Sequence, residues 1–179
     1  MTRYAALLRA VNVGSNKLAM ADLRRVVTGL GHDDVKTYLQ SGNVVFTSAP
    51  TRGEVLAEGI TNRLADEVGL RVPVLVRDGD ELAAVAATNP YAGRQDDPTR
   101  VLVVFLSAAP EPARVRELTA PPGEEMEYEV IGREAHLHFP AGGYGRTRFT
   151  AAYLEKTLGV VATARNWRTV LALRDLTTG

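Results

Sequence analysis

The order of apolar segments in this chain runs through once and then again, which confines it to folds built from two like halves. Residues 3–11 form a continuous apolar run ended by Asn12, Gly14 and Ser15, the pattern of a central strand covered on at least one face. Met20, Leu23, Val26, Val27 and Leu30 then follow the three-and-four spacing of a helix, and Gly31 supplies the stop. Residues 35–40 and 44–47 are short runs rich in β-branched and aromatic side chains, joined through Ser41-Gly42-Asn43 as a hairpin. A helix over 52–68 with Gly69 as its stop, a strand over 74–77 after Pro73, and a short helix over 79–87 complete the order βαββαβα. From residue 100 the order returns. A strand over 100–107 precedes a helix over 112–119, and hairpin strands over 126–131 and 134–139 turn at Gly132-Arg133. A helix over 148–158, a strand over 160–163 and a closing helix over 166–176 follow. The residues themselves do not repeat, so the duplication is one of architecture.

The βαββαβ order is that of the ferredoxin-like split βαβ unit, in which the third strand inserts between the first two. The expected fold is α+β: two ferredoxin-like βαββαβ(α) halves related by duplication, with antiparallel or mixed sheets and helices packed on one face. The expected halves are 1–89 and 100–179, and 90–99, with Pro90, Gly93, Asp96, Asp97 and Pro98, reads as the linker. A right-handed crossover makes strands one and two of each half parallel, so the loop after strand one and the hairpin after strand two leave the sheet at the same end. In the first half this brings 12–17 beside 41–43. Applied to strands three and four of the second half, the same reasoning joins 142–148 to 164–167. Each half therefore carries one polar corner built from loops.

Charge says little about partners. Twenty-one basic residues balance twenty-one acidic ones in 179 residues, which leaves no global field to gather nucleic acid or an anionic membrane, so any anion site must be local. The chain has no Cys, which removes disulfides, thiolate catalysis and Cys-based zinc or iron-sulfur sites. Met1-Thr2-Arg3-Tyr4 runs straight into a strand, and no apolar stretch approaches twenty residues, so a cytoplasmic protein without membrane association is expected.

The corners hold the conspicuous residues. Val13-Gly14-Ser15-Asn16-Lys17 is a partial phosphate cradle: Gly14 permits close backbone approach, and Asn16 and Lys17 precede a helix start. It has neither the Walker spacing nor Gly-x-Gly-x-x-Gly, and taken alone the loop is better explained as a surface loop in which Asn16 caps or turns the chain and Lys17 is solvated. Gly42 and Asn43 likewise suit a hairpin without any ligand. Arg146, Arg148 and Arg165 gather guanidinium groups near two helix starts, and such groups recognise carboxylate or phosphate. Asn166 fits an N-cap, and the spacing of Trp167 to Val170, Leu171 and Arg174 turns its ring inward. His136 and His138 share a strand face, read as solvent-facing because Leu137 and Phe139 take the core side, and no third metal ligand is near in sequence. Ser41 with His32 or His138 makes no recognisable triad, and no Gly-x-Ser-x-Gly elbow is present. Whether the chain is an enzyme is open at this level.

The stretches Leu7-Leu8-Arg9-Ala10-Val11-Asn12-Val13-Gly14, Thr37-Tyr38-Leu39-Gln40-Ser41-Gly42-Asn43-Val44-Val45-Phe46, and Leu154-Glu155-Lys156 through Leu158-Gly159 to Thr163-Ala164-Arg165-Asn166-Trp167 resemble the bacterial domain-of-unknown-function family 1697. The resemblance spans nearly the whole chain. It implies two similar ferredoxin-like halves and no established activity, cofactor or substrate. The family's signature residues fall on Arg9, Asn12, Gly14, Gln40, Ser41, Asn43, Arg165, Asn166 and Trp167, while Ser15 and Arg168 depart from its usual Gly and Asn.

The leading expectation is a protein that binds, or acts on, a small phosphorylated or carboxylated ligand at a polar site between the halves. Arg9, Lys17 and Arg165 would supply cations, with Asn12, Gly14, Asn16, Gln40, Ser41, Asn43, Arg146 and Asn166 completing the site. No metal or cofactor is expected. The alternatives are an RNA-binding module and a regulatory protein-interaction domain. Against RNA, strands 44–47 and 134–139 offer only Phe46 and Phe139, short of the aromatic pattern of RNA-recognition sheets.

Overall fold

A computed structural model of the chain describes residues 1–94 and 96–179; Gln95, in the expected linker, lies outside the described residues. Contacts divide the chain into two compact units, Met1–Ala84 with Leu173–Gly179, and Val85–Ala172.

The first unit contains β1 (Thr2–Leu8), α1 (Met20–Gly29), β2 (Asp33–Tyr38), β3 (Asn43–Ser48), α2 (Gly53–Val68), β4 (Val74–Asp78) and the start of α3 (Gly79–Thr88). Its sheet has the order β2-β3-β1-β4 with every neighbouring pair antiparallel, so β1 and β2 are parallel and β3 lies between them. The apolar alternation explains the packing. Tyr4, Ala6, Leu8, Val44, Phe46 and Val76 meet Leu23, Val26 and Val27 of α1 and Leu56, Ile60 and Leu64 of α2 in one buried cluster. Each fully buried Leu, Ile, Val or Phe side chain there stabilises by roughly 1.5–3 kcal/mol. The opposite face is buried too, through Ala5, Leu7, Val45, Leu75 and Arg77. That explains why β1 is apolar without interruption from Tyr4 to Leu8.

The second unit repeats the plan with β5 (Val101–Leu106), α4 (Pro112–Glu117), β6 (Glu127–Ile131), β7 (Glu134–His138), α5 (Ala151–Leu158), β8 (Ala162–Asn166) and the first turns of α6 (Trp167–Thr178). The strand order is β6-β7-β5-β8, again antiparallel throughout. Leu102, Val104, Leu106, Ala135, Leu137, Phe149, Leu154 and Leu158 form its core. Two antiparallel four-stranded sheets with helices, arranged as a duplicated βαββαβ, make the fold α+β as expected.

Several boundaries differ from the sequence reading. β1 stops at Leu8, so Arg9 lies just beyond the strand rather than within it. The apolar run continues to Val11 because that residue is buried as an anchor of the loop, not as a strand residue. β8 runs on to Asn166, since Leu102 pairs with Asn166 across the sheet, which puts Arg165 in a strand rather than in a loop. α5 begins at Ala151, where the Thr150 hydroxyl accepts from the Tyr153 N–H at 3.2 Å. Trp167 is half-buried. His136 and His138 are buried, at 1% and 3% exposure, not solvent-facing. β7 is an interior strand of its sheet, and the Tyr91 ring stacks on His138 with centroids 5.6 Å apart, so both of its faces are covered.

Candidate functional site

In the first unit the loop after β1 and the turn between β2 and β3 meet, as the crossover argument requires. The side chain of Asn12 joins them: its Nδ2 donates to the carbonyls of Leu18 at 2.9 Å and Gln40 at 2.6 Å, and its Oδ1 accepts from the Leu18 N–H at 2.9 Å. Asn16 closes the loop, its carbonyl accepting from the Asn12 N–H at 2.6 Å. Asn43 is fully buried, and its Nδ2 donates to the Tyr38 carbonyl and to Ser41 Oγ, both at 2.9 Å. Gly42 carries a φ of +85° and packs so closely that an added Cβ would lie 2.4 Å from Val11 Cγ2. Three of the four non-glycine residues with positive φ among those described, Ala10, Asn12 and Leu39, belong to this corner. Such a backbone costs on the order of 1 kcal/mol per residue and persists only where its surroundings hold it. Here the two asparagine amides do the holding. Gly14, Lys17, Gln40 and Ser41 are exposed and Arg9 is half-exposed; among the described residues nothing pairs with the Lys17 ammonium.

The fourth strands of the two units match residue by residue. Ala5 pairs with Arg77 and Val103 with Arg165, and each arginine donates from Nη1 to the carbonyl of the residue before it, Val76 at 3.1 Å and Ala164 at 2.8 Å. Arg165 also donates to Thr163 Oγ1 at 2.7 Å. Exposures of 2% and 6% put both guanidinium groups inside, and burial pulls Arg165 down to about 10, still cationic at neutral pH. The next residue in each strand caps the following helix: Asp78 Oδ1 accepts from Glu81 N–H at 2.8 Å and Asn166 Oδ1 from Thr169 N–H at 3.0 Å. Arg77 was missed by sequence reasoning. The signal was there, an Arg-Asx pair closing the last strand of each repeat.

The second unit's corner is more open. Residues between Ala141 and Thr147 line two hollows, and Gly143 lines both. One, of about 470 Å³, is bounded by Glu124, Glu125, Phe139, Gly142, Gly143 and Arg146. The other, of about 350 Å³, lies against Thr99, Leu102, Tyr144, Ala164 and Asn166, so the expected meeting of 142–148 with 164–167 is realised. Gly142 and Gly143 have φ of +98° and +150°, and no atom lies within 4 Å of where a Cβ would stand on either. The loop is held from behind: Tyr144 accepts from the Ala151 N–H through its hydroxyl at 2.8 Å and packs edge-on to Phe139.

Charge is distributed unevenly around the larger hollow. Glu124 accepts from Thr147 Oγ1 at 2.5 Å, from the Arg148 N–H at 3.0 Å and from Arg148 Nε at 3.4 Å. These hydrogen bonds, that from Thr147 first, hold its carboxyl below the usual carboxylate range. Arg148 is thereby engaged, and its Nη2 donates to the Pro122 carbonyl at 3.0 Å. Arg146, two residues earlier, is exposed, and among the described residues nothing pairs with its guanidinium.

No three His, Asp or Glu side chains among the described residues come together in a way that could hold a metal ion. No helix among them is long and apolar enough to cross a membrane.

Comparison with known proteins agrees with this architecture. The family model described as protein of unknown function, DUF1697, matches residues 1–136. The solved structure of a conserved bacterial protein from Streptococcus pneumoniae is similar to this one, with 25% sequence identity, 98% of each chain covered and a TM-score of 0.72. No curated protein matches the chain.

Proposed function

The chain belongs to the DUF1697 family of proteins of unknown function, and from that premise we propose that it binds a small carboxylated or phosphorylated ligand in the hollow bounded by Gly142, Gly143 and Arg146. One observation carries the reading. Arg146 presents an unengaged guanidinium at the wall of a concave, glycine-lined space, while its neighbour Arg148 is already satisfied by Glu124. A planar guanidinium recognises carboxylate or phosphate through paired hydrogen bonds, and open glycine backbone lets the anion approach closely. In the first unit, by contrast, the amides of Asn12 and Asn43 are directed into the protein, and Arg165 of the second is buried.

Recognition of RNA on an open sheet is disfavoured. The faces that such a domain would leave open carry Ala5, Leu7 and Val45 in one unit and Val103, Phe105 and His136 in the other, all buried. The test is a thermal-shift screen of carboxylated and phosphorylated metabolites, followed by calorimetry with the wild type and Arg146→Gln. Arg146 stands in solvent, where an ion pair contributes roughly 0.2–1 kcal/mol, so the variant should bind about two- to fivefold more weakly at unchanged stability. Equal binding by Arg146→Gln, or no response to any small anion, would refute the reading.

A further inference from the structure

We propose that the ligand of this hollow carries an ammonium group beside its carboxylate, so that the site takes an α-amino acid or an equally small zwitterion. The inference rests on the binding reading above and adds the second half of the recognition. Two acidic and one basic side chain line the space: Glu124, Glu125 and Arg146. Glu124 is matched by Arg148 and Thr147, so it leaves no net charge for a ligand to answer. Arg146 and Glu125 remain.

Both are exposed, and among the described residues neither has an ion-pair partner, the other included. A phosphate or simple carboxylate drawn to Arg146 meets the Glu125 carboxylate in the same hollow, and like charge placed against a ligand counts against it. A zwitterion answers both charges at once. Its carboxylate pairs with Arg146, and its ammonium, with three donors, pairs with Glu125. A space of about 470 Å³ holds a small amino acid with water around it, and Gly142 and Gly143 leave the intervening backbone uncovered. Since both charged groups stand in solvent, the pairing selects among ligands more than it tightens any of them.

The experiment compares amino acids with their deaminated counterparts on the full chain. L-Alanine against propionate, L-phenylalanine against 3-phenylpropionate, and inorganic phosphate are titrated calorimetrically into the wild type, Arg146→Gln and Glu125→Gln. The expected result is binding of one or more amino acids about two- to fivefold tighter than the deaminated partner. Glu125→Gln should remove that preference while leaving carboxylate binding, and Arg146→Gln should weaken both. Propionate, phenylpropionate or phosphate binding as tightly as the amino acids, through Arg146 and indifferent to Glu125, would overturn the zwitterion proposal and leave the anion site standing. No binding that depends on Arg146 would overturn both.

Discussion

Gly42 and Gly14 occupy the same corner and both have positive φ, yet the structure asks different things of them. At Gly42 a Cβ would strike Val11 at 2.4 Å and Leu8 at 3.0 Å, whereas at Gly14 nothing lies within 4 Å. Gly14→Ala should therefore cost only the backbone penalty, about 1 kcal/mol, and Gly42→Ala that penalty plus overpacking, on the order of 3 kcal/mol. Urea unfolding of the two variants checks the difference, and equal losses would contradict the close approach. His136 supplies a pH dependence. It is neutral in the folded protein because burial lowers it to about 4, and its Nδ1 has no hydrogen-bond partner among the described residues. Below pH 6.5 the unfolded chain takes a proton that the native state refuses, so stability should fall as pH drops from 6.5 toward 4. The slope of unfolding free energy against pH over that window should flatten in His136→Gln; an unchanged slope would assign it to other groups. At this scale the sequence told which residues matter better than what they do. Asn12 and Asn43 stood out as polar groups at a corner, but a hydrogen bond to Gln40 28 residues away is a tertiary fact that spacing does not contain.

Two strand-to-helix junctions show how elements were legible. Hydrophobic periodicity located the α-helices and strands of both repeats, because most of them bury regular faces, but not the short 3-10 helices Pro98–Arg100 and Tyr144–Arg146. It failed at ends, where other forces decide. Val11 continued the apolar run without continuing β1, and Asn166 was polar while still paired in β8. The caps decide where α3 and α6 begin. Asp78 and Glu81 cap each other reciprocally, with Asp78 N–H donating to Glu81 Oε2 at 2.9 Å, while Asn166 acts alone on Thr169. Asp78→Ala and Asn166→Ala should each lower stability by about 1 kcal/mol, the former by somewhat more because it breaks both bonds of the box. Thermal melts of the two variants test this, and neutrality of either would remove the cap from the account.

For the whole molecule, the sequence foretold the duplication but not how the chain is shared out between its units. α3 starts in the first unit and ends in the second, and α6 does the reverse, so Leu173–Gly179 completes the first unit from the far end of the chain. There an added Cβ on Gly79 would lie 2.8 Å from the Thr177 carbonyl, and Leu173 is fully buried. Sequence order cannot reveal such a return, since helical spacing is the same whichever unit the helix covers. A fragment of residues 1–99 should accordingly lack a cooperative unfolding transition, and adding residues 167–179 in trans should restore protection; a stable, cooperative 1–99 fragment would contradict it. The candidate site was legible in part: strand direction put the loop 142–148, with Arg146, at a polar corner, but the freedom of Arg146 depended on Glu124 being engaged by Arg148. The most direct measurement is an amide chemical-shift map of the labelled full chain titrated with L-alanine or another amino acid that binds. Shifts centred on Glu125, Gly142, Gly143 and Arg146 are expected; shifts centred on residues 12–17 and 40–43 would place the ligand at the first unit's corner and contradict the proposed site.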